Sequence, residues 1–486
     1  MNFTKTKNNY KTIIYFIIIF LVLACFFIRN HPIVLFDTDD WGYTGSTREA
    51  IPKIHAYNPS KVLPETIMPL VSSLGVNIFM PFTNDYISSL TIMNGLVVSI
   101  AITIYIYCFY KLIKKYFKFN DFTLFGISTL FLLLHFIIFR NGMSDNLYMF
   151  YAVDPTCYYN YIIPALLNCS LVMYFITDGT FNKKNSTTKI SILVLLCYLA
   201  IFSNMFQSII LAVYISLSLL FDYINSKDKK IFKFIKNNYS RLIIIIMWVA
   251  QHIFELTGGR ADSVGNFSSP IANIKTTLSY FFDTMINCNK AFKCIILACI
   301  IMFIFEFFKE KLYRKNLIKI IPISALLTII YLILLCSVTF PYYISRIEII
   351  FGFVFYILIA ICLTLSLSIK RWDLLEYLLP LILFILLFET ETTGVTFKES
   401  NILNIPYQKC IEIDNIIINQ VKEIDKSGNK SGTIYIPKFE TGDNWPIGTY
   451  GVERISRTLY SHGIITREIK LDYEFSNEMY EKLLAN

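Results

Sequence analysis

Asp37-Thr38-Asp39-Asp40-Trp41-Gly42-Tyr43 stands just past an apolar run at 13–28, which is itself preceded by Lys5, Lys7 and Lys11. The junction decides how the chain is read. An apolar run led by lysines crosses a bilayer with its basic end in the cytoplasm, so the acidic stretch emerges on the opposite face. No small-x-small cleavage pattern precedes Arg29, and the run reads as a retained first helix rather than a signal peptide. Three carboxylates within four residues raise one another's pKa, and charge kept at a membrane rim serves binding or proton transfer. An acidic loop in water needs no function, so the remaining loops must decide between the two readings.

Across 486 residues the hydrophobic content is 55% and the mean hydropathy is +0.53, which describes a polytopic membrane protein. The net charge of +9 lies in short clusters between apolar runs, where orientation in the membrane accounts for it. No basic, aromatic-interleaved soluble surface is present to track a phosphate backbone, which excludes nucleic acid as a partner. Most of the 11 cysteines fall inside apolar runs and act as small hydrophobes. Cys157, Cys288 and Cys410 fall outside them. A disulfide among these three stays open, and no CxxC or Cys/His metal spacing occurs.

Apolar stretches recur at about 12–28, 87–113, 122–139, 161–177, a hairpin turning near 204–207, then 242–257, 291–307, 320–338, 347–368 and 374–389. With the hairpin counted as two, about eleven spans result. The lysine clusters at 111–118, 183–184, 227–236, 309–319 and 370–371 then share one side. The first outer loop, 29–86, carries Pro52, Pro59, Pro64, Pro69 and Pro81, and its apolar part at 65–80 reads as a proline-broken interfacial or re-entrant helix. Beyond residue 390 the composition turns ordinary. Helices near 411–424 and 451–461, strands at 432–437 and 464–471, and a short terminal helix are predicted there. The expected architecture is an all-α polytopic domain, 1–390, with a small α+β domain, 391–486, resting on its outer face. That small domain is too short to bury much core alone.

Several charged residues share the outward address: Asp37, Asp39, Asp40, Arg48, Arg140, Asp145, Asp154, Arg260, Asp262 and Arg346. A carboxylate takes a proton from an acceptor hydroxyl, and arginine presents a fork of donors that matches phosphate. Clustered Asp oxygens also suit a divalent ion. Together these residues fit a reaction on a substrate with a phosphate leaving group.

Asp39-Asp40-Trp41-Gly42-Tyr43, taken with Asn160-Tyr161-Ile162-Ile163-Pro164-Ala165 and the span layout, resembles the GT-C superfamily of integral-membrane glycosyltransferases. The likeness is to bacterial members that build or decorate surface polysaccharides, including GtrII-like proteins. It implies a sugar donor on polyprenyl phosphate, a glycan or lipid-linked acceptor, and a place in the bacterial cytoplasmic membrane with the N-terminus inside and the C-terminus outside. It also implies a first-loop carboxylate as base or metal ligand, a role that falls on Asp39 or Asp40, with Asp39 favoured as the first of the pair. If a metal is used, Mg2+ or Mn2+ would be held by the same two residues. The donor phosphate is expected near an outward arginine, with Arg346 the best match and Arg260 and Arg140 beside it. Trp41, Tyr43, Tyr342, Tyr343 and Trp445 are the aromatics suited to contacting substrate.

Plainer roles compete for each of these. Arg140 and Arg346 sit where span-end arginines snorkel. Asp154 precedes Pro155 in a turn setting, the tyrosines fit an interfacial belt, and Trp445 suits a domain core. Two other functions share the membrane class. A polysaccharide polymerase or ligase would place its key arginines in large central loops. A transporter or flippase would show charged or broken helices at mid-membrane and internal repeats, and neither is evident.

Overall fold

The computed structural model describes residues 3–48, 50–140, 147–178, 186–226, 230–259, 269–308, 315–389, 403 and 405–484. Helix α1 (Phe3–Cys25) continues through a π turn to Asn30, and a short helix α2 (Thr38–Gly45) follows the loop. Helices α3 (Val62–Thr83) and α4 (Tyr86–Phe117) form an antiparallel hairpin. Asn84 closes it at φ 52°, a left-handed conformation that Asn tolerates. Asp85 then caps α4 by accepting from the Ser88 amide at 2.6 Å. The prolines at 69 and 81 are absorbed within α3, so this segment is one continuous helix rather than a proline-broken one.

The bundle continues with α5 (Asp121–Ile137) and with α6 (Pro155–Cys157), which runs through a π turn into α7 (Ile163–Asp178). Next come α8 (Thr187–Ile201), α9 (Met205–Asn225) and α10 (Ile231–Leu256). Helices α11 (Pro270–Ile286) and α12 (Lys290–Phe308) precede α13 (Lys315–Val338), α14 (Phe351–Arg371) and α15 (Asp373–Glu389). Among the described residues, seven helices are long and apolar enough to cross a membrane, or eight if a bent pair counts as one. The pair joins 270–286 to 290–305 at a bend of 102°, a broken span or a re-entrant loop. The segments expected as spans at 122–139 and 374–389, and the first arm of the 204–207 hairpin, appear as apolar helices of 15 to 17 residues, and 320–338 falls within α13. The protein is a multi-helix membrane protein. The 258–290 stretch, expected as a loop, contributes α11.

Helices α4 and α7 run parallel. Tyr159 bonds Asn94 at one end (3.1 Å), and Lys115 reaches the Ile176 carbonyl at the other (3.4 Å). Helix α1 runs against α4: Thr12 meets Tyr110 at 3.2 Å, and Phe27 and Ile28 lie over Gly95. The first turns of α4 therefore extend beyond the ends of both neighbours. They carry the C-terminal unit: α16 (Tyr407–Lys426), β1 (Ser431–Pro437), α17 (Val452–Ser461), β2 (Lys470–Ser476) and α18 (Asn477–Leu484). The two strands pair in parallel, Ser431 opposite Lys470. The second strand falls later than the expected 464–471, because Thr466 and Arg467 turn back to bind Asp425.

A small unit gains a core by sharing one. Ile413, Ile417, Ile434, Ile436, Ile455 and Leu459 pack in one apolar cluster with Val34, Leu35, Phe36 and Trp41 of the first loop and with Tyr86, Ile87 and Leu90 of α4. The first loop and the C-terminal unit are thus one folded body seated on the helix hairpin.

Candidate functional site

The acidic stretch becomes helix α2 because its own carboxylates cap it. Asp37 accepts from the Asp39 amide at 2.7 Å, and Asp40 Oδ2 reaches back to the Asp37 amide at 3.2 Å, a reciprocal capping box. Asp40 Oδ1 accepts from the Thr156 amide (2.8 Å) and hydroxyl (2.6 Å). Asp40 is fully buried. Both of its oxygens bind protein donors, so it staples the first loop to the segment that starts α6. This corrects the expectation that Asp40 shares chemistry or metal binding with Asp39. Among the described residues no group of three or more His, Cys, Asp or Glu side chains is placed to hold a metal.

The C-terminal unit closes over α2. The Thr38 amide donates to the Pro446 carbonyl (3.0 Å), the Thr38 hydroxyl engages the same carbonyl and Gly448, and Thr458 donates to the Trp41 carbonyl. Two glycines allow this approach. A Cβ on Gly45 would stand 2.6 Å from the Thr458 Cα, and one on Gly451 would stand 2.1 Å from the Thr38 Cγ2. Trp41, expected to touch substrate, is instead buried at this seam and stacks on Tyr86 at 6.3 Å.

Two cavities meet at Asp39. The bundle cavity, about 550 Å³, is lined by Asp37, Asp39, Lys61, Asp154, Cys157, Tyr161, Tyr342, Tyr343, Arg346, Glu348 and Trp445, among others. Arg346 donates to Glu348 Oε1 through Nε at 2.6 Å and to the Cys157 Sγ at 3.4 Å. Its guanidinium lies 4.9 Å from the Tyr161 ring and 5.9 Å from that of Tyr343. Its Nη1 makes no hydrogen bond among the described residues. Lys61 stands on the same wall, bonded to the Tyr43 hydroxyl at 3.1 Å.

The seam cavity, about 560 Å³, lies between α2, the 46–65 stretch and α17. Tyr43, Arg48, Tyr57, Glu65, Tyr450, Arg454 and Arg457 line it, and Asp39 belongs to both cavities. Arg454 Nη1 pairs with Asp39 Oδ1 at 3.0 Å. Asp39 Oδ2 makes no hydrogen bond among the described residues.

Burial separates the other carboxyls from Asp39. Burial first, then the nearby Asp154 and Asp40, pushes Asp37 up to about 11, so it keeps its proton at neutral pH. Burial and Asp154 also push Asp40 well up, against the pull of the Thr156 donors. Burial raises Asp154 too, although the Cys157 amide and Arg346 oppose it. In all three, burial works toward the protonated form.

The expected residues divide cleanly. Asp39, Arg346, Tyr342, Tyr343 and Trp445 converge on the bundle cavity, and Tyr43 on the seam cavity. Arg140 lies just past the end of α5, is buried, and lines neither cavity; its carbonyl accepts from Asn289 at 2.6 Å. Arg260 lies outside the described residues. Lys61, Glu348 and Arg454 are site residues that sequence reasoning missed. Glu348 had a signal, as an acid two residues from an arginine at the head of an apolar run. Arg454 had none. Comparison with protein-family models, with curated proteins and with solved structures finds no match.

Proposed function

We propose that the protein is an integral-membrane glycosyltransferase that moves a sugar from a polyprenyl-phosphate donor to a glycan or lipid-linked acceptor. One observation carries this reading: Asp39 is common to two cavities, one with an arginine and aromatic rings beside the membrane helices, the other open beneath the C-terminal unit. The donor occupies the bundle cavity. Its phosphate lies against Arg346, whose Nη1 is available and whose Nε is held by Glu348, with Lys61 as a second cation. Tyr342, Tyr343 and Trp445 offer ring faces to the sugar.

An acceptor hydroxyl enters from the seam side. Its oxygen attacks the anomeric carbon while its proton passes to the Asp39 carboxylate. The bond from that carbon to the phosphate oxygen breaks, and polyprenyl phosphate leaves with the electron pair, its charge met by Arg346. The sugar is delivered with inverted configuration. About eleven spans, N-terminus inside and C-terminus outside, would put this site on the outer face of a bacterial cytoplasmic membrane. Reporter fusions at Lys230 and Asn486 should then report opposite sides.

The test is purified full-length protein in lipid vesicles with a panel of radiolabelled polyprenyl-phosphate sugars and a surface glycan extract. Label transferred to glycan, with release of polyprenyl phosphate, is expected. Movement of intact lipid-linked glycan across the vesicle without transfer would replace the enzyme by a flippase.

A further inference from the structure

The seam cavity is charged in a way that transfer to a neutral sugar does not require. Its walls hold Arg48, Arg454 and Arg457 against Asp39 and Glu65. Arg48 is committed: it pairs with Glu65 at 2.8 Å and donates to the carbonyls of Asn58 and Pro59. That leaves two arginines facing one carboxylate.

Those two are one turn apart on α17, so they present guanidinium groups along the same face. Arg454 is held flat against the wall. A Cβ on Gly42 would touch its Nη1 at 3.0 Å and its Cδ at 3.1 Å, and the Tyr450 ring lies 5.3 Å away on another side. Arg457 meets Glu468 at only 3.4 Å, with both side chains more than half exposed. Exposed pairs of that kind contribute little, so Arg457 can exchange this partner at low cost. Tyr57 and Tyr450 stand exposed at the rim and offer apolar faces to a sugar ring. The cavity volume is within the range of small-ligand sites.

We propose that the seam cavity is an acceptor subsite for a glycan carrying an anionic group, a carboxylate or a phosphate, gripped by Arg454 and Arg457. The inference rests on the transferase reading. Two guanidinium forks match such an anion in geometry as well as charge, and a neutral sugar has no charge to pair with either. Arg454 is shared between Asp39 and the acceptor anion, so the two compete for one guanidinium. Removing the charge of Asp39 should therefore tighten anion binding while it stops transfer.

Equilibrium binding to the full chain in lipid nanodiscs tests this with three tritiated probes: a hexuronate oligosaccharide, its carboxyl-reduced neutral form, and a glycerol-phosphate oligomer. At least one anionic probe should bind about ten- to a hundredfold more tightly than the neutral one, and which one does names the source of the charge. Arg454→Gln with Arg457→Gln should bring the anionic probes to the neutral level and leave the neutral probe unchanged. Arg457→Gln alone, on an exposed rim, should remove part of the preference in a protein whose seam is intact. Asp39→Asn should bind the anionic probe several-fold more tightly. Equal binding of anionic and neutral probes, or a preference that survives loss of both arginines, overturns the proposal. Because binding is read without turnover, absent transfer with intact anion selectivity would count against the transferase reading alone.

Discussion

The two cavities that meet at Asp39 are nearly equal in size, about 550 and 560 Å³, yet different parts of the chain build them. The bundle cavity is walled by ends of apolar helices and by the 341–348 turn, and its cation is braced by a buried acid. The seam cavity is walled by the first loop and α17, and one of its cations, Arg457, pairs loosely at the surface. On the proposed transferase reading, the difference separates two tasks. A lipid-borne phosphate needs a fixed, partly dry cation, because hydrogen bonds to charged groups strengthen where water is excluded. A glycan that arrives from solution needs a wet surface that can exchange partners.

The largest effect that would break this comparison is at Arg346. Arg346→Gln should lower transfer about a hundred- to a thousandfold, as loss of one preorganised donor to a developing charge does. Binding of anionic glycan in the seam should stay unchanged. A loss of both would mean that the two cavities are not separable.

The seam itself comes next. Gly45→Val places side-chain atoms against the backbone of Thr458 and should cost about 1–3 kcal/mol, as overpacking does. Limited proteolysis would read it as release of the C-terminal unit with the helix bundle intact. Resistance equal to wild type would show that the unit is not held by this contact.

A pH-dependent effect sits at Asp414 on α16. It is fully buried, and neither oxygen has a hydrogen-bond partner among the described residues. Burial, with the carboxyls of Asp40 and Asp85 facing it, pushes its carboxyl well up. The folded protein therefore holds a proton that the unfolded chain releases above the ordinary carboxylate range, and this stability is lost as pH rises above that range. Asp414→Asn should melt at higher temperature than wild type. The gap should widen from pH 5 to pH 8 by up to about 1.4 kcal/mol per unit. A constant gap would contradict the burial argument.

The smallest contrast is at Asp37. Because it caps α2 and keeps at neutral pH a proton that the unfolded chain releases, Asp37→Asn should melt no lower than wild type, and Asp37→Ala should cost about 1 kcal/mol more than Asp37→Asn through loss of the cap. Equal costs would show that the side-chain oxygen does not cap the helix.

Apolar helices were legible in the sequence because length and composition state them directly. Strand β1 and helix α17 were legible from composition and turn residues, and Asp39 and Arg346, given one address in the sequence, line one cavity. What stayed hidden depended on contacts across the chain. Asp39 and Asp40 look alike as neighbours, and only Thr156, more than a hundred positions away, shows that Asp40 is a staple. Trp41 reads as a rim aromatic until Tyr86 and the C-terminal unit cover it. Pro69 and Pro81 suggested a broken helix, but α3 accommodates both.

The central claim is that adjacent carboxylates do opposite work: Asp39 takes the acceptor proton, and Asp40 builds the loop that presents it. Turnover of a polyprenyl-phosphate sugar by the Asp39→Asn protein, measured beside its melting temperature, tests this most directly. Transfer should fall by about two to four orders of magnitude while the melting temperature stays close to wild type. Transfer at the wild-type rate by a well-folded Asp39→Asn protein would contradict the account.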